Sequence, residues 1–389
     1  MRKFLDKIKP NFEEGKKLHF LQSSFDAVET LLFVPNITTK KGSHVRDGID
    51  LKRLLIVVVI AAVPSLLFGM FNVGIQHYLS QTEHIGNDWK SIIPIVGFWQ
   101  IFFYGFLKIL PIIIVSYVVG ITVEVVFAQI RKHEVSEGVF VTCMLIPLIV
   151  PPDIPIWMLV VSLTFALIFG KEVFGGTGMN IVNPALLTRA FLFFAFPAFM
   201  SGDKVWITQS QDAISGATPL GSAAAGDISS MPSIMDMLLG FVPGSVGETS
   251  FIAIALGMLI MIFTGVISLR ILLSVFAGGY LMALVFNLWG ANELMLIPAH
   301  VHLIMGGFAF GAVFMATDPV TATQTASGKL FYGFLIGMLG IMIRIFNPAY
   351  PEGMMLAILF MNIMAPLIDH VVVGRNIKRR LKRLKIKTN

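Results

Sequence analysis

Residues 109–127 read ILPIIIVSYVVGITVEVVF. The only charged residue in this run is Glu124. With its flanks the run is long enough to cross the roughly 30 Å hydrocarbon core of a bilayer as a helix. The runs Leu54–Phe68, Phe251–Val266 and Ile271–Phe286 repeat the pattern. The composition agrees: 56% of the 389 residues are hydrophobic and 13% are charged, where soluble domains average roughly a quarter charged. The expected fold is an all-α polytopic membrane protein in a lipid bilayer. A membrane barrel would show short alternating strands instead.

Ten spans are predicted, at about 54–74, 109–130, 138–151, 155–170, 186–200, 249–268, 270–289, 301–317, 330–346 and 354–372. They divide the chain into an N-terminal arm (1–50), a first five-helix block (51–200), a polar loop (201–248), a second five-helix block (249–372) and a basic tail (373–389). The apolar segment 92–107, with Pro94 and Gly97 inside it, reads as an interfacial helix leading into the second span. No short apolar stretch with a small-residue cleavage site precedes the first span, so that span is expected to be an uncleaved anchor.

Lysine and arginine placement orients the chain. The arm carries Lys16, Lys17, Lys40, Lys41, Arg46, Lys52 and Arg53, and the tail carries eight basic residues from Arg375 to Lys387. Both termini are therefore expected in the cytoplasm, which requires an even number of spans. Arg131, Lys132, Lys171, Arg270 and Lys329 then fall inside. The loop 201–248, with Lys204 as its one basic residue against five acidic ones, falls outside. The net charge of +6 comes from these ends and is no nucleic-acid signal. Cys143, the single cysteine, excludes an internal disulfide and reads as a small core residue.

Two spans look broken. Val139–Val150 is short and runs into Pro151, Pro152 and Asp153; Gly306–Ala316 is short and runs into Thr317, Asp318 and Pro319. Each is third in its block of five, so the second block is inverted relative to the first. Glycine- and proline-interrupted spans at matching places in two halves point to a site near the bilayer midplane. A tolerated proline kink is the simpler reading of each.

Three features carry candidate chemistry. In the outer loop, Asp212–Thr218 reads DAISGAT, and Thr218 precedes Pro219. A residue before proline is pushed toward an extended conformation. Ser215, Gly216 and Ala217 leave little bulk, so the Thr218 hydroxyl is presentable to a modifying enzyme, with Asp212 near enough to hold a metal or proton during phosphoryl transfer. Taken alone so short a string reads first as an ordinary polar loop with turn residues, and its place on the outer side of a many-span chain sharpens it. On the inner side, Gly175–Ala185 reads GGTGMNIVNPA. Its glycines allow close approach of a flat ligand. Asn180 and Asn183 offer donors and acceptors suited to a flavin or quinone edge, on one face if helical. The same residues also read as a helix cap and turn. Finally, Glu124, Glu137, Glu172, Asp318 and Asp369 are acidic residues at or near membrane depth. Glu137 precedes the first broken span and Asp318 ends the second, which suggests a cation path. Glu124 and Glu172 read more simply as solvated interfacial groups, with Glu172 paired to Lys171. No Walker loop, Rossmann fingerprint or haem-like histidine pairing is present.

The stretches HVRDGIDLKRLL (from His44), SEGVFVT (from Ser136), KEVFGGTGMNIVNPAL (from Lys171), SGATPL (from Ser215), GSVGETS (from Gly244), MATDPVTA (from Met315) and APLIDH (from Ala365) resemble the B-type subunits of the sodium-translocating NADH:quinone oxidoreductases over nearly the whole chain. The resemblance implies FMN esterified to Thr218 by a flavin transferase outside the bacterial cytoplasmic membrane, and riboflavin held non-covalently near Asn180 and Asn183. It implies electron flow from FMN to riboflavin and on to ubiquinone or menaquinone, with Na+ driven outward past Glu137, Asp318 and Asp369. It further implies a six-subunit complex with an NADH-oxidising flavoprotein subunit and a second covalent-FMN subunit. At Asp26 the family pattern more often has glutamate. The D-type subunit of the Rnf ferredoxin-oxidising complex shares the flavin threonine and the glycine–asparagine pattern but lacks the long arm. A flavin-free channel or permease accounts for the broken spans but gives no reason for SGATPL.

Overall fold

In the computed structural model, residues 51–81, 89–131, 135–136, 138–202, 205–208, 216–227, 231–347 and 353–387 are described, with short pieces of the first fifty (2–12, 16, 22, 25, 29, 39 and 42–43). Among them the secondary structure is entirely helical. Six helices are long and apolar enough to cross a membrane: Leu54–Gln81, Phe98–Arg131, Ile156–Phe174, Leu269–Trp289, Ala326–Phe346 and Met354–Arg383. Three more are apolar but shorter: Gly138–Ile149, Pro184–Ala195 and Phe251–Phe263.

The opening run lies in the Phe98–Arg131 helix. Its buried positions are Ile101, Gly105, Ile109, Ile112, Ser116, Gly120, Glu124 and Ala128. They recur every three or four residues, which is one stripe along a helix, and the intervening apolar side chains face outward as a lipid-facing surface requires. The helix starts eleven residues earlier than the predicted span. Segment 92–107 is accordingly not one interfacial helix: a short helix, Trp89–Val96, ends at Gly97, whose φ of 93° turns the chain into the long helix. Cys143 is fully buried as expected, its thiol donating to Ser116 O at 3.1 Å.

Both interruptions are present. The Gly138–Ile149 helix contains Pro147 and stops before the turn at 150–155. In the second block a helix at Ala299–Ile304 ends at an extended Met305, Gly306 takes a φ of 68°, and the chain resumes as Phe308–Phe310 and a π-helix over Gly311–Met315.

The Leu269–Trp289 helix packs closely along the Ala326–Phe346 helix. A Cβ at Gly278 would lie 2.1 Å from Phe334 O, and one at Gly337 would lie 2.0 Å from Val275 O. Small residues let two helix backbones touch, and within a bilayer such packing replaces the hydrophobic driving force. Gly337→Leu should therefore destabilise the detergent-purified protein by at least the ~1–3 kcal/mol typical of overpacking, read as a lowered thermal midpoint. Gly374→Ala is the control, because a Cβ at Gly374 meets nothing within 4 Å. Equal midpoints for the two variants would refute the close contact.

Candidate functional site

The Gly175–Ala185 segment is a loop between two helices. Gly175, Gly176 and Gly178 have φ of 122°, 93° and 98°, a region closed to most side chains. Asn180 and Asn183 do not share a helical face. Asn180 holds the loop, accepting from Gly178 N–H (3.3 Å) and donating to Val182 O (3.2 Å). Asn183 is the N-cap of the Pro184–Ala195 helix, its side-chain oxygen accepting from Ala185 N–H (3.0 Å) and Leu186 N–H (3.3 Å) with proline at the first helical position. The capping geometry leaves the Asn183 amide nitrogen free to reach across the molecule, and it donates to Asp318 Oδ2 at 3.4 Å. Asp318 also accepts from Val320 N–H (3.0 Å) and Thr321 Oγ1 (3.1 Å). Behind them Asn362 links Tyr332 Oη (2.7 Å) to Asn183 N–H (3.2 Å) when its amide is turned so that its oxygen accepts.

The glycine loop and the broken second segment thus meet. Between them is a cavity of ≈ 670 Å³, mouth included, bordered by Lys171, Thr177, Asn180, Asn183, Thr317 and Asp318 among others. The Thr177 hydroxyl is buried without a hydrogen-bond partner among the described residues, so a polar ligand edge fits here. The loop asparagines and Asp318 therefore belong to one site. Glu137 lies outside the described residues, as do Asp212, Ser215 and Asp26.

Glu124 and Glu172 are not solvated interfacial groups. Each is 1% exposed. Lys171 Nζ, itself buried, lies 2.6 Å from Glu124 Oε2 and 3.9 Å from Glu172 Oε1. Arg131 Nη1 lies 3.4 Å from Glu172 Oε2, and its other terminal nitrogen donates to the Glu172 carbonyl. Glu124 Oε1 accepts from Ser136 N–H at 3.2 Å. Two cations and two anions are packed together next to the cavity, which Lys171 borders; a buried charge is tolerated only when paired.

Asp369 lines neither this cavity nor the next. Its carboxylate accepts from Gln324 N–H (2.7 Å), Thr325 N–H (3.0 Å) and Thr325 Oγ1 (2.6 Å). It caps the Ala326–Phe346 helix from a neighbouring element.

Thr218 is extended, with φ −67° and ψ 155°, as a residue before proline should be. Gly216 is buried, and Ala217 and Thr218 are half-buried. The Thr218 hydroxyl caps the Pro219–Ala224 helix, accepting from Gly221 N–H at 3.0 Å. It borders a second cavity of ≈ 440 Å³, shared with Met237, Ser245, Glu248, Thr249 and Gly306. A phosphate ester would keep an ester oxygen at this position, beside that cavity, and the donor chemistry of Thr218 fits a phosphate-linked group.

Two arginines complete the picture. Arg189 pairs with Glu248 at 2.7 Å, both buried. Arg344, fully buried, donates to His302 O (2.6 Å) and Met305 O (3.0 Å), carbonyls that the helix break leaves without intrahelical donors. Sequence reasoning misses both, though each sits in an apolar run (PALLTRAFLFF, GIMIRIF) where an ionisable residue is costly and usually functional.

The chain matches the model of the NQR2, RnfD and RnfE family over residues 38–378. It is 46% identical over 398 residues to the B-type subunit of the Na(+)-translocating NADH-quinone reductase of Chromohalobacter salexigens, covering 98% of this chain and 96% of the relative. It is 47% identical over 401 residues to the protein of the same name from Ectopseudomonas mendocina (98% and 99% covered). It is 46% identical over 401 residues to the one from Pseudomonas aeruginosa PAO1 (98% and 99% covered). A match this long, at this identity, joined to a glycine–asparagine loop packed on the broken TDP segment, places the chain as a member of the NQR2, RnfD and RnfE family.

Proposed function

We propose that this chain is the B-type membrane subunit of a sodium-translocating NADH:quinone oxidoreductase. It passes electrons from FMN esterified to Thr218 by way of riboflavin to ubiquinone or menaquinone, coupled to outward movement of Na+. The observation that carries this is the end-to-end likeness to proteins named for that subunit. The family model begins at residue 38, but the relatives cover 98% of the chain and so include the arm. That favours the B-type subunit over an RnfD-like protein. In this reading the three shorter apolar helices and the interrupted 299–315 segment complete ten crossings in two inverted repeats, 51–200 and 249–372. Both termini face the bacterial cytoplasm, and the loop 201–248 faces outward to the flavin transferase. The other subunits of a six-subunit complex, the NADH-oxidising flavoprotein and a second covalent-FMN subunit among them, supply the electrons.

When bound, the flavins supply reversible electron transfer. The chain's own residues hold and insulate them. Thr218 provides the ester oxygen, and the backbone at Gly216 and Ala217 keeps it accessible. Asn180, Asn183 and the unmet Thr177 hydroxyl face a cavity suited to a ring edge of mixed donors and acceptors. Asp318 places an oxygen-rich anion at that same cavity, the ligand type a hard cation prefers. Flavin analysis of the purified complex is the test. One flavin should stay on this polypeptide through denaturation and another should be released; a chain that retains none rejects the reading.

Asp318→Ala should weaken the sodium dependence of turnover and leave the flavin on Thr218, because the two lie at different cavities. The measurement is quinone reduction against sodium concentration, with in-gel flavin fluorescence alongside. Unchanged sodium activation removes Asp318 from the ion path.

A further inference from the structure

Glu248 is a buried carboxylate where the two interrupted segments meet. Its neighbour Gly247 donates to Leu148 O (2.8 Å), near the end of the Gly138–Ile149 helix. From the other side, Gly307 approaches so closely that a Cβ there would lie 2.7 Å from the Glu248 carboxyl carbon. One carboxylate oxygen takes Arg189 Nη1 at 2.7 Å. The other accepts from the Ser245 hydroxyl. The carboxylate borders two cavities. One is the ≈ 440 Å³ space beside Thr218, and the other, ≈ 250 Å³, is bordered by Arg189, Gly307, Gly311 and Met315. Thr249, the next residue, is 6% exposed and borders the first cavity, and its hydroxyl has no partner among the described residues.

A structural ion pair accounts for Arg189 and Glu248. It does not account for the unmet Thr249 hydroxyl on a cavity that Glu248 also borders, or for the position between two cavities. A neutral flavin edge would satisfy Thr249 but gives no reason to hold a carboxylate next to it. A hard monovalent cation satisfies both, since such ions take carboxylate and hydroxyl oxygens together.

We propose that Glu248, Ser245 and Thr249 form a sodium site on the Thr218 side of the protein, in which the Arg189 guanidinium competes with sodium for the carboxylate. The site rests on the sodium-translocating reading above and adds to it an ion-binding step separate from the Asp318 cavity. With sodium absent, Arg189 neutralises the carboxylate, so the charge is never buried alone. When sodium binds, the second cavity gives the guanidinium space to withdraw.

The competition makes two opposite predictions. The assembled complex, made with its flavin transferase, is assayed for half-saturating sodium in quinone reduction and for the sodium-dependent shift in melting temperature, with choline holding ionic strength constant. Glu248→Gln should raise half-saturating sodium by about tenfold or more, the scale of a lost charge-assisted contact, and shrink the sodium-dependent melting shift. Arg189→Gln should lower half-saturating sodium. If Glu248→Gln does not assemble, Thr249→Val, close to isosteric, takes its place and must raise the value in the same direction. Variants that lower the melting temperature equally with and without sodium, while half-saturation stays put, overturn the site. A wild-type complex indifferent to sodium overturns the site and the broader reading together; a responsive wild type with unresponsive variants overturns the site alone.

Discussion

Thr218→Asn should leave the polypeptide dark under ultraviolet light after denaturation, with the mass of the bare chain, although its local fold is intact. The hydroxyl at this position has two tasks in the structure and the function proposed for it. It accepts from Gly221 N–H to cap the Pro219–Ala224 helix, and it would carry the phosphate ester. Thr218→Ala removes both, so a loss of function in that variant is open to the objection that the loop has unravelled; losing such a cap costs ~1 kcal/mol. Asparagine caps a helix as well as threonine does but has no hydroxyl to esterify. Both variants should lose covalent flavin and quinone reduction. NADH oxidation by the partner flavoprotein with an artificial acceptor should persist. Only Thr218→Ala should also lose stability. A fluorescent Thr218→Asn band rejects the attachment site outright. A dark wild-type band, from cells that contain the transferase, rejects the covalent flavin itself.

What can be read in the amino-acid chain divides along physical lines. Hydrophobic runs declare membrane helices because lipid admits few other structures, and the run at 109–127 is indeed the middle of a long helix. The start of that helix is harder to read, because Gly97, not the polar residues around Lys108, ends the preceding one. Both interruptions are visible as proline and glycine near Asp153 and Asp318. The extended backbone of Thr218 follows directly from Pro219. Contacts between distant segments are another matter. Asn183 reads as a ligand or a cap; it is a cap whose spare amide nitrogen reaches Asp318, 135 residues away. Nothing local encodes that reach. Asp369 reads as a member of an ion path and is found capping a helix through Thr325. Glu124 and Glu172 read as solvated interfacial groups, because the contacts that bury them, Lys171 with Glu124 and Arg131 with Glu172, form only after the helices pack. The buried arginines at 189 and 344 have no acidic neighbour in sequence to draw attention to them; the informative signal is the charge within an apolar run.

The Lys171–Glu124 pair should show the largest effect on stability of any contact in the molecule. The ammonium and carboxylate lie 2.6 Å apart, each at most 3% exposed. Removing one partner strands the other in a low-dielectric interior, which typically destabilises by ~3–5 kcal/mol. Lys171→Met should do so, and it leaves Glu124 facing Glu172 with Arg131 as the one nearby cation among the described residues. Glu124→Leu should do the same in mirror image and also free the Ser136 N–H that the carboxylate accepts. The double variant removes one charge of each sign. It leaves the Arg131–Glu172 pair and should be less destabilised than the two single variants added together, with a coupling above ~1 kcal/mol as expected for residues in contact. Unfolding midpoints in a detergent titration would measure the cycle, and additive losses would show that the two groups do not sense one another. The same cycle bears on the cavity beside them. Lys171 borders it, yet it is paired with Glu124, so Asp318 is the acidic group on that wall with no cation among its hydrogen-bond partners. In Glu124→Leu the ammonium loses its 2.6 Å partner, keeps Glu172 at 3.9 Å, and adds net positive charge to the cavity that Asp318 also borders. If cation attraction by Asp318 matters to sodium activation, that single variant should weaken it, and the double variant should restore it.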